Sequence, residues 1–224
     1  MHLYINRKTP VVTYALAVIN AVIFCADVVT EWIFGVPVLT LYGAKVNEYI
    51  LLLGQWWRLF TPMFLHSGLT HLICNVAALV IWGRQCEQLL GPGRFLVIYL
   101  ASGVLGCCAS FAFSNAMSVG ASGAIFGLFG ALLVFREKYR EIFNAVFGTS
   151  VLIIIAVNIL NGFIVPNIDN FGHFGGLIGG FLACSAVGFY KQRGWTAKQT
   201  LFVFAYLVLA AALIGIAFLR FLAL

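Results

Sequence analysis

The chain has 224 residues, of which 62% are hydrophobic, 15% are aromatic and only 9% are charged. Soluble globular proteins are roughly 45–50% apolar and about 25% charged, so this composition excludes both a soluble domain and a disordered region. The net charge of +6 does not indicate nucleic-acid binding, because the basic residues are scattered singly between apolar runs. We therefore expect an all-α membrane protein, a polytopic bundle of helices.

Runs free of Asp, Glu, Lys and Arg predict where the helices cross the membrane, since one crossing needs about 20 apolar residues. The third run is long enough for two helices, with a turn at the small and polar stretch Ser114–Gly120. The sequence therefore predicts seven transmembrane helices. The runs are Thr9–Ala26, Leu59–Gly83, Phe95–Phe135, Ile142–Ile168, Asn170–Tyr190 and Gln199–Leu219.

The first run follows Arg7 and Lys8, as the apolar core of a signal peptide would. It is longer than a typical core of that kind, and its one Ala-x-Ala triplet, Ala15–Ala17, lies in the middle of the run. We interpret it as a retained first helix.

The basic residues predict the orientation, because cytoplasmic loops carry an excess of Lys and Arg. With the N-terminus inside, ten basic residues are cytoplasmic and three lie outside, which predicts a cytoplasmic N-terminus and an external C-terminus. The cytoplasmic ones are Arg7, Lys8, Arg84, Arg94, Arg136, Lys138, Arg140, Lys191, Arg193 and Lys198, and the external ones are Lys45, Arg58 and Arg220.

The loop between the first and second spans, residues 27–58, is rich in Trp and Tyr, which favour the membrane interface. Within it, Glu48–Leu53 is predicted to form a short interfacial helix.

Six cysteines have no CxxC pair or framework spacing, and we interpret them as small core residues rather than disulfides or metal ligands. They are Cys25, Cys74, Cys86, Cys107, Cys108 and Cys184.

Polar residues inside a membrane span cost free energy and indicate function, and four stand out in the predicted spans. His71 and Asn75 are one turn apart in the second span, Ser122 begins the fourth, and His173 begins the sixth. Counted from the cytoplasmic basic residues at about 1.5 Å per residue, Ser122 and His71 lie about 20 Å up their helices and His173 about 27 Å. We expect the four side chains in one layer, near the outer side of the membrane.

Glycines predict which helices touch, because small residues let helix backbones approach closely in lipid. The fourth span has Gly123 and Gly127, and the sixth has Gly172, Gly176 and Gly180 at four-residue spacing. If these faces meet, Ser122 and His173 come together.

Each polar residue also has a structural interpretation, such as a Ser that bonds to its own helix or a His on an ion path. The combination favours nucleophilic catalysis, in which a Ser needs an adjacent base and neutral donors such as His71 and Asn75 stabilise an oxyanion. No His-Glu-x-x-His motif is present, and the only aspartates, Asp27 and Asp169, lie near span ends. We expect no metal and no cofactor.

At these residues the sequence resembles the rhomboid family of intramembrane serine proteases. The resemblance covers roughly residues 11–188 and rests on four motifs. They are Gly120-Ala-Ser-Gly123, Gly172-His-Phe-Gly-Gly176-Leu-Ile-Gly-Gly180, His66-Ser-Gly-Leu-Thr-His71-Leu-Ile-Cys-Asn75, and Trp57-Arg58 in the first loop.

The resemblance implies that Ser122 is the nucleophile and His173 the general base, with His71, Asn75 and the Ser122 N–H as the oxyanion hole. Phe126 stands where related enzymes often have a Tyr packed on the catalytic His, so the ring is kept and the hydroxyl is lost. His66 would be structural.

The resemblance also implies a six-helix core over residues 1–190, including the first loop, and an extra C-terminal helix within residues 191–224. Substrates would be single-pass transmembrane proteins in the lipid bilayer, cut near their outer ends. The short termini favour a bacterial plasma membrane, and the oligomeric state is left open. Two alternatives are a catalytically inactive relative that binds membrane clients and a small-solute transporter, although no paired broken helices are evident.

Overall fold

Helices make up nearly all the regular structure of the computed structural model, which describes residues 5–6, 8–165, 168–192 and 194–223. Two of the predicted cytoplasmic charges, Arg7 and Arg193, lie outside the described residues. The α-helices are α1 Val11–Phe34, α2 Val38–Gly43, α3 Asn47–Leu53, α4 Leu69–Ala78, α5 Arg84–Leu90, α6 Pro92–Phe113, α7 Ser122–Lys138, α8 Arg140–Val146, α9 Ser150–Ile164, α10 Asn170–Val187 and α11 Ala197–Leu222. Two short 3₁₀ turns, Trp56–Leu59 and Thr61–Phe64, precede α4, and a π-helical segment, Leu79–Gly83, joins α4 to α5.

The long third apolar run divides where the sequence predicted. α6 ends at Phe113 and α7 begins at Ser122, with residues 114–121 forming the turn between them. The short helix predicted within the first loop is also present as α3.

The end predicted for the first span is wrong. α1 continues through Asp27 to Phe34, because the Asp27 carboxylate is buried and accepts hydrogen bonds from the Leu39 and Thr40 N–H groups at the start of α2. A charge that caps a neighbouring helix in this way does not end its own helix.

The fifth predicted span is bent rather than straight. α8 and α9 meet at an angle of 73°. At the bend Gly148 has φ +55°, a conformation that favours glycine. Phe143 and Phe147 pack on Phe135 of α7, so the first part of this run lies against the core instead of continuing α9.

Among the described residues, α1, α6 and α11 are each long and apolar enough to cross a membrane, and the bent pair of α8 and α9 would make a fourth. Helices α7 and α10 have 17 and 18 residues, and many of these are buried. The structure thus has several apolar helices, whereas the count of seven spans stays a prediction.

The first loop is organised by a buried arginine. The Arg58 guanidinium donates to the carbonyl oxygens of Ala44 (2.6 Å) and Leu41 (2.9 Å) and lies over the Tyr49 ring. Trp57 Nε1 donates to the Tyr42 carbonyl at 2.9 Å. Both members of the Trp57-Arg58 motif therefore shape the loop.

The glycine faces of α7 and α10 meet, as their spacing predicted. A Cβ atom added to Gly176 would overlap the Gly123 carbonyl oxygen, and one added to Gly180 would overlap the Gly127 carbonyl oxygen. The two backbones are in direct contact, so no side chain fits between them.

The core interpretation of the cysteines holds only in part. Cys86, Cys108 and Cys184 are buried and Cys107 is half-buried, whereas Cys25 and Cys74 are exposed on α1 and α4. Both cysteines lie on the apolar side of their helix that no other part of the described structure covers.

Candidate active site

Ser122 is the first residue of α7, and the segment before it is held firmly. The Gly120 N–H donates to the Pro62 carbonyl at 2.9 Å, and the backbones of Ser118 and Lys45 form an antiparallel bridge with hydrogen bonds of 3.0 and 3.1 Å. Gly120 has φ +128°, and a Cβ atom there would lie 2.8 Å from the His71 ring. Both its backbone conformation and the available space require glycine.

His173 lies in the first turn of α10 and is only 8% exposed. Asp169 is the N-cap of this helix, and its side chain accepts a hydrogen bond from the Gly172 N–H at 2.9 Å. The Phe126 ring stacks on the His173 ring with centroids 4.2 Å apart and planes only 8° apart. The imidazole is therefore fixed by a capped helix start and by an aromatic ring of α7.

Ser122 and His173 lie on the same helix contact. Phe126 is one turn after Ser122 on α7, so both face α10. A Cβ atom on Gly123 would come 3.3 Å from the carbonyl oxygen of Gly172, the residue before His173. The structure thus brings together the two helix starts that carry the predicted nucleophile and base.

Within the described residues no hydrogen bond joins Ser122 to His173, and the buried His173 Nδ1 has no hydrogen-bond partner. Catalytic hydrogen bonds are often long in free enzymes and shorten when substrate binds. The unpartnered Nδ1 distinguishes the site from a Ser-His-Asp triad, in which a carboxylate accepts from this nitrogen.

His71 approaches the site from α4, and Asn75 lies one turn further along the same helix. His71 Nε2 would lie 2.8 Å from a Cβ atom on Gly120, and Ser122 Oγ would lie 3.7 Å from that same position. Asn75, 6% exposed, donates its amide to the His71 carbonyl at 2.9 Å. His71 is thus beside the segment that begins α7, with Asn75 one turn away.

The remaining predicted residues lie beside this centre or in the first loop. His66 is buried and contacts the His71 ring edge-on, with centroids 5.2 Å apart. Gly123 keeps α7 close to α10, while Trp57 and Arg58 belong to the first loop described above.

A small cavity of about 20 Å³ lies beside Ser122. Ser118, Gly120, Asp169 and Gly172 contribute to its lining. A volume of this size holds about one water molecule. Among the described residues, no group of three His, Cys, Asp or Glu side chains is arranged to hold a metal ion.

Sequence reasoning missed three residues of this site. Ser67 Oγ lies 3.1 Å from His71 Nδ1, and Ser118 Oγ donates to Asp169 at 2.7 Å. The position of Asp169, four residues before His173 at a helix start, is a recognisable N-cap signal. Ser67 lies four residues before His71, whereas nothing local in the sequence indicates the partner of Ser118.

The buried Lys45 is paired through its backbone with Ser118, the residue that donates to Asp169. The Lys45 ammonium donates to Asn47 Oδ1 (3.1 Å) and to the Ser114 carbonyl (3.0 Å) near the end of α6. Burial lowers the pKa of Lys45 to about 8, and the Asp169 carboxylate offsets part of that change.

Comparison with known families matches residues 53–191 to the Rhomboid domain. The chain belongs to the rhomboid family. It is 46% identical over 182 residues to "Rhomboid protease GluP" of Bacillus subtilis, covering 81% of this chain and 36% of that protein. It is 37% identical over 183 residues to "Putative rhomboid protease YdcA" of the same organism, covering 79% of this chain and 87% of the relative.

Rhomboid relatives also include a protein named as inactive. "Inactive RHOMBOID-like protein 8" of Arabidopsis thaliana is 42% identical over 125 residues, which cover 54% of this chain and 35% of that protein. The chain spans only about a third of GluP. Family membership and the apolar helices identify an integral membrane protein of the rhomboid family.

Proposed function

We propose that this rhomboid is an intramembrane serine endopeptidase that cuts peptide bonds in or near the transmembrane helices of single-pass proteins. Ser122 is the nucleophile and His173 the general base. The observation that carries the proposal is the glycine contact between α7 and α10, together with the Phe126 ring stacked on His173. This contact leaves the two side chains few alternative arrangements.

The reaction needs only these two groups and water. Ser122 Oγ attacks the scissile carbonyl carbon while His173 takes the hydroxyl proton. The tetrahedral intermediate collapses, the C–N bond breaks, and His173 gives its proton to the leaving amine. Water then attacks the acyl carbon while His173 takes a proton from it. The second tetrahedral intermediate collapses, the C–Oγ bond breaks, and His173 gives its proton to Ser122 Oγ, which restores the hydroxyl and releases the acid.

The oxyanion of each tetrahedral intermediate is stabilised by His71, Asn75 and the Ser122 backbone N–H. In this role the Ser67 hydroxyl, 3.1 Å from His71 Nδ1, donates to that nitrogen, so that the proton of the neutral ring lies on Nε2, the nitrogen nearer Gly120. Asn75 has a second amide N–H besides the one given to the His71 carbonyl.

The bundle crosses the bilayer seven times, with a six-helix core over residues 1–190 and α11 as the additional helix of residues 191–224. The N-terminus is cytoplasmic and the C-terminus outside, in a bacterial plasma membrane. A substrate helix hides its carbonyl groups in its own hydrogen bonds. Substrates with Gly or Pro near the cut unwind at lower cost and are therefore preferred.

The second candidate is a catalytically inactive protein that binds membrane clients. Two observations favour it: Ser122 and His173 share no hydrogen bond in the described structure, and an inactive relative exists. This candidate predicts that Ser122 does not react with a fluorophosphonate.

The deciding experiment compares cleavage of a model single-pass substrate, and fluorophosphonate labelling, between the wild type, Ser122→Ala and His173→Ala. We expect both variants to lose cleavage and labelling while remaining folded, and the double variant to be no worse than either single one. Ser110→Ala is the matched control, because it removes a buried hydroxyl with no hydrogen-bond partner among the described residues. Residual cleavage by pure Ser122→Ala would overturn the serine mechanism.

A further inference from the structure

One carboxylate joins the two segments that carry Ser122 and His173. Asp169 Oδ1 accepts from the Gly172 N–H at 2.9 Å, and Gly172 directly precedes His173. Asp169 Oδ2 accepts from the Ser118 hydroxyl at 2.7 Å, and Ser118 lies four residues before Ser122. The carboxylate therefore spans the gap between the start of α10 and the segment leading into α7.

We propose that Asp169 is a positioning residue that holds Ser122 and His173 at reacting distance through the backbone, without touching the imidazole. The inference rests on the proposed protease function. Both carboxylate oxygens already accept hydrogen bonds from Ser118 and Gly172, and no hydrogen bond links Asp169 to the His173 ring in the described structure. Its role thus differs from that of the triad carboxylate, which binds the imidazole itself.

The link continues to the first loop. Ser118 is paired with Lys45 through two backbone hydrogen bonds, and the Lys45 ammonium is anchored on the Ser114 carbonyl near the end of α6. The segment that receives the Asp169 hydrogen bond is therefore itself held in place. Cutting the Ser118–Asp169 bond releases the start of α10 from this anchor.

The deeper glycine contacts do not depend on that bond. Gly176 and Gly180 remain packed on Gly123 and Gly127, so the two helices stay together when the link is cut. Small displacements of reacting groups reduce rate strongly. A positioning role therefore predicts a loss of rate that is larger than any loss of stability.

Mutations can separate the two roles of Asp169, which caps α10 and links it to the segment before α7. Ser caps a helix as well as Asp does, but its single oxygen is one atom shorter, so Asp169→Ser keeps the cap and removes the reach to Ser118. Asp169→Asn keeps the cap, and its amide can donate to the Ser118 hydroxyl, so it restores the link. Ser118→Ala removes the link from the other end.

The experiment measures the fluorophosphonate labelling rate, single-turnover cleavage and thermal stability of the full chain in detergent. We expect Asp169→Ser and Ser118→Ala to slow labelling by about tenfold, with a Tm close to that of the wild type, because misplacing a reacting group costs rate. The double variant should be no slower than either single one, and Asp169→Asn should recover most of the rate. Ser114→Ala is the matched control, because its hydroxyl lies in the same turn and, among the described residues, accepts only from the Ala116 N–H.

The serine chemistry is tested first: the fluorophosphonate should label the wild type and should not label Ser122→Ala. If the wild type is not labelled, the proposed function fails, and this outcome is distinct from a failure of the positioning role. With that established, wild-type labelling rates in Asp169→Ser and Ser118→Ala would overturn the positioning role. A rate loss that only follows the folded fraction would also overturn it. If Asp169→Ser does not fold, Ser118→Ala still decides, since it leaves the helix cap in place.

Discussion

The two sides of the candidate site are built differently. On one side, α7 and α10 touch through glycine backbones, with no side chain between Gly123 and Gly176. On the other side, His71 and Asn75 project from α4 and are held by side-chain hydrogen bonds to Ser67 and to the His71 carbonyl. The two sides meet at Gly120, because only a residue without a Cβ atom fits beside the His71 ring at this position.

This difference matches what each side has to do. The proposed nucleophile and base must meet in every state of the reaction, and a backbone contact leaves them little freedom. Oxyanion donors contribute most when they interact with charge that exists only in the transition state. A side chain held by one or two hydrogen bonds can adjust to that charge by a small rotation.

The largest expected effect comes from breaking the backbone contact. Gly176→Leu places a side chain where even a Cβ atom overlaps the Gly123 carbonyl oxygen, so we expect a loss of about 3 kcal/mol or more of stability and no activity. Thermal unfolding in detergent and substrate cleavage measure it. Gly215→Leu is the control, since no described atom lies within 4 Å of a Cβ there. Equal stability of the two variants would mean that the contact does not hold the site together.

The next effect tests the other side. Asn75→Ala should lower kcat by about 10²-fold, the scale seen when one oxyanion donor is removed, and leave substrate affinity nearly unchanged. Fluorophosphonate labelling should slow too, because the phosphoryl oxygen uses the same donors. Single-turnover cleavage, labelling and Tm are measured together. A rate loss explained entirely by instability would return Asn75 to a structural role.

The contrast between the two sides also explains what sequence can predict. Glycine spacing encodes a helix contact directly, so the meeting of α7 and α10 followed from Gly172, Gly176 and Gly180. The polar partners of Ser118 and Ser67 could not be found in this way. A hydroxyl has no fixed partner until the tertiary fold brings one within reach, as the fold brings Asp169 to Ser118.

Charges misled the sequence analysis in one respect. A single carboxylate was expected to end the first span, yet Asp27 is buried within α1 and caps α2. The bend at Gly148 was also missed, because the run around it carries no charge, although Gly148-Thr149-Ser150 is a small and polar stretch of the kind that marks a turn. Hydropathy measures transfer from water and carries no information on backbone direction or on hydrogen bonds between elements.

A smaller effect is expected from the ring that covers the base. Phe126→Leu removes the stacking on His173, and since such ring pairs are worth about 0.5–1.5 kcal/mol, labelling should slow by about two- to tenfold. Phe126→Tyr keeps the ring and should stay near the wild-type rate. Phe135→Leu, which removes a buried ring packed on Phe143 and Phe189, is the control for lost packing alone. Equal rates for Phe126→Leu and Phe135→Leu would show that stacking does not orient the base.

An effect no larger than this concerns the tautomer of His71. Ser67→Ala removes the hydroxyl that lies 3.1 Å from Nδ1, so the proton of the neutral ring is no longer directed to Nε2. One hydrogen bond contributes about 0.5–1.5 kcal/mol, which corresponds to about two- to tenfold slower labelling. Thr70→Ala, an exposed hydroxyl residue in the same turn, should leave the rate unchanged. The test is sharpest in the Asn75→Ala background, where His71 is the remaining side-chain donor. If Ser67→Ala slows labelling no more there than Thr70→Ala does, His71 does not act on the oxyanion through Nε2, and the adjustable side of the site consists of Asn75 alone.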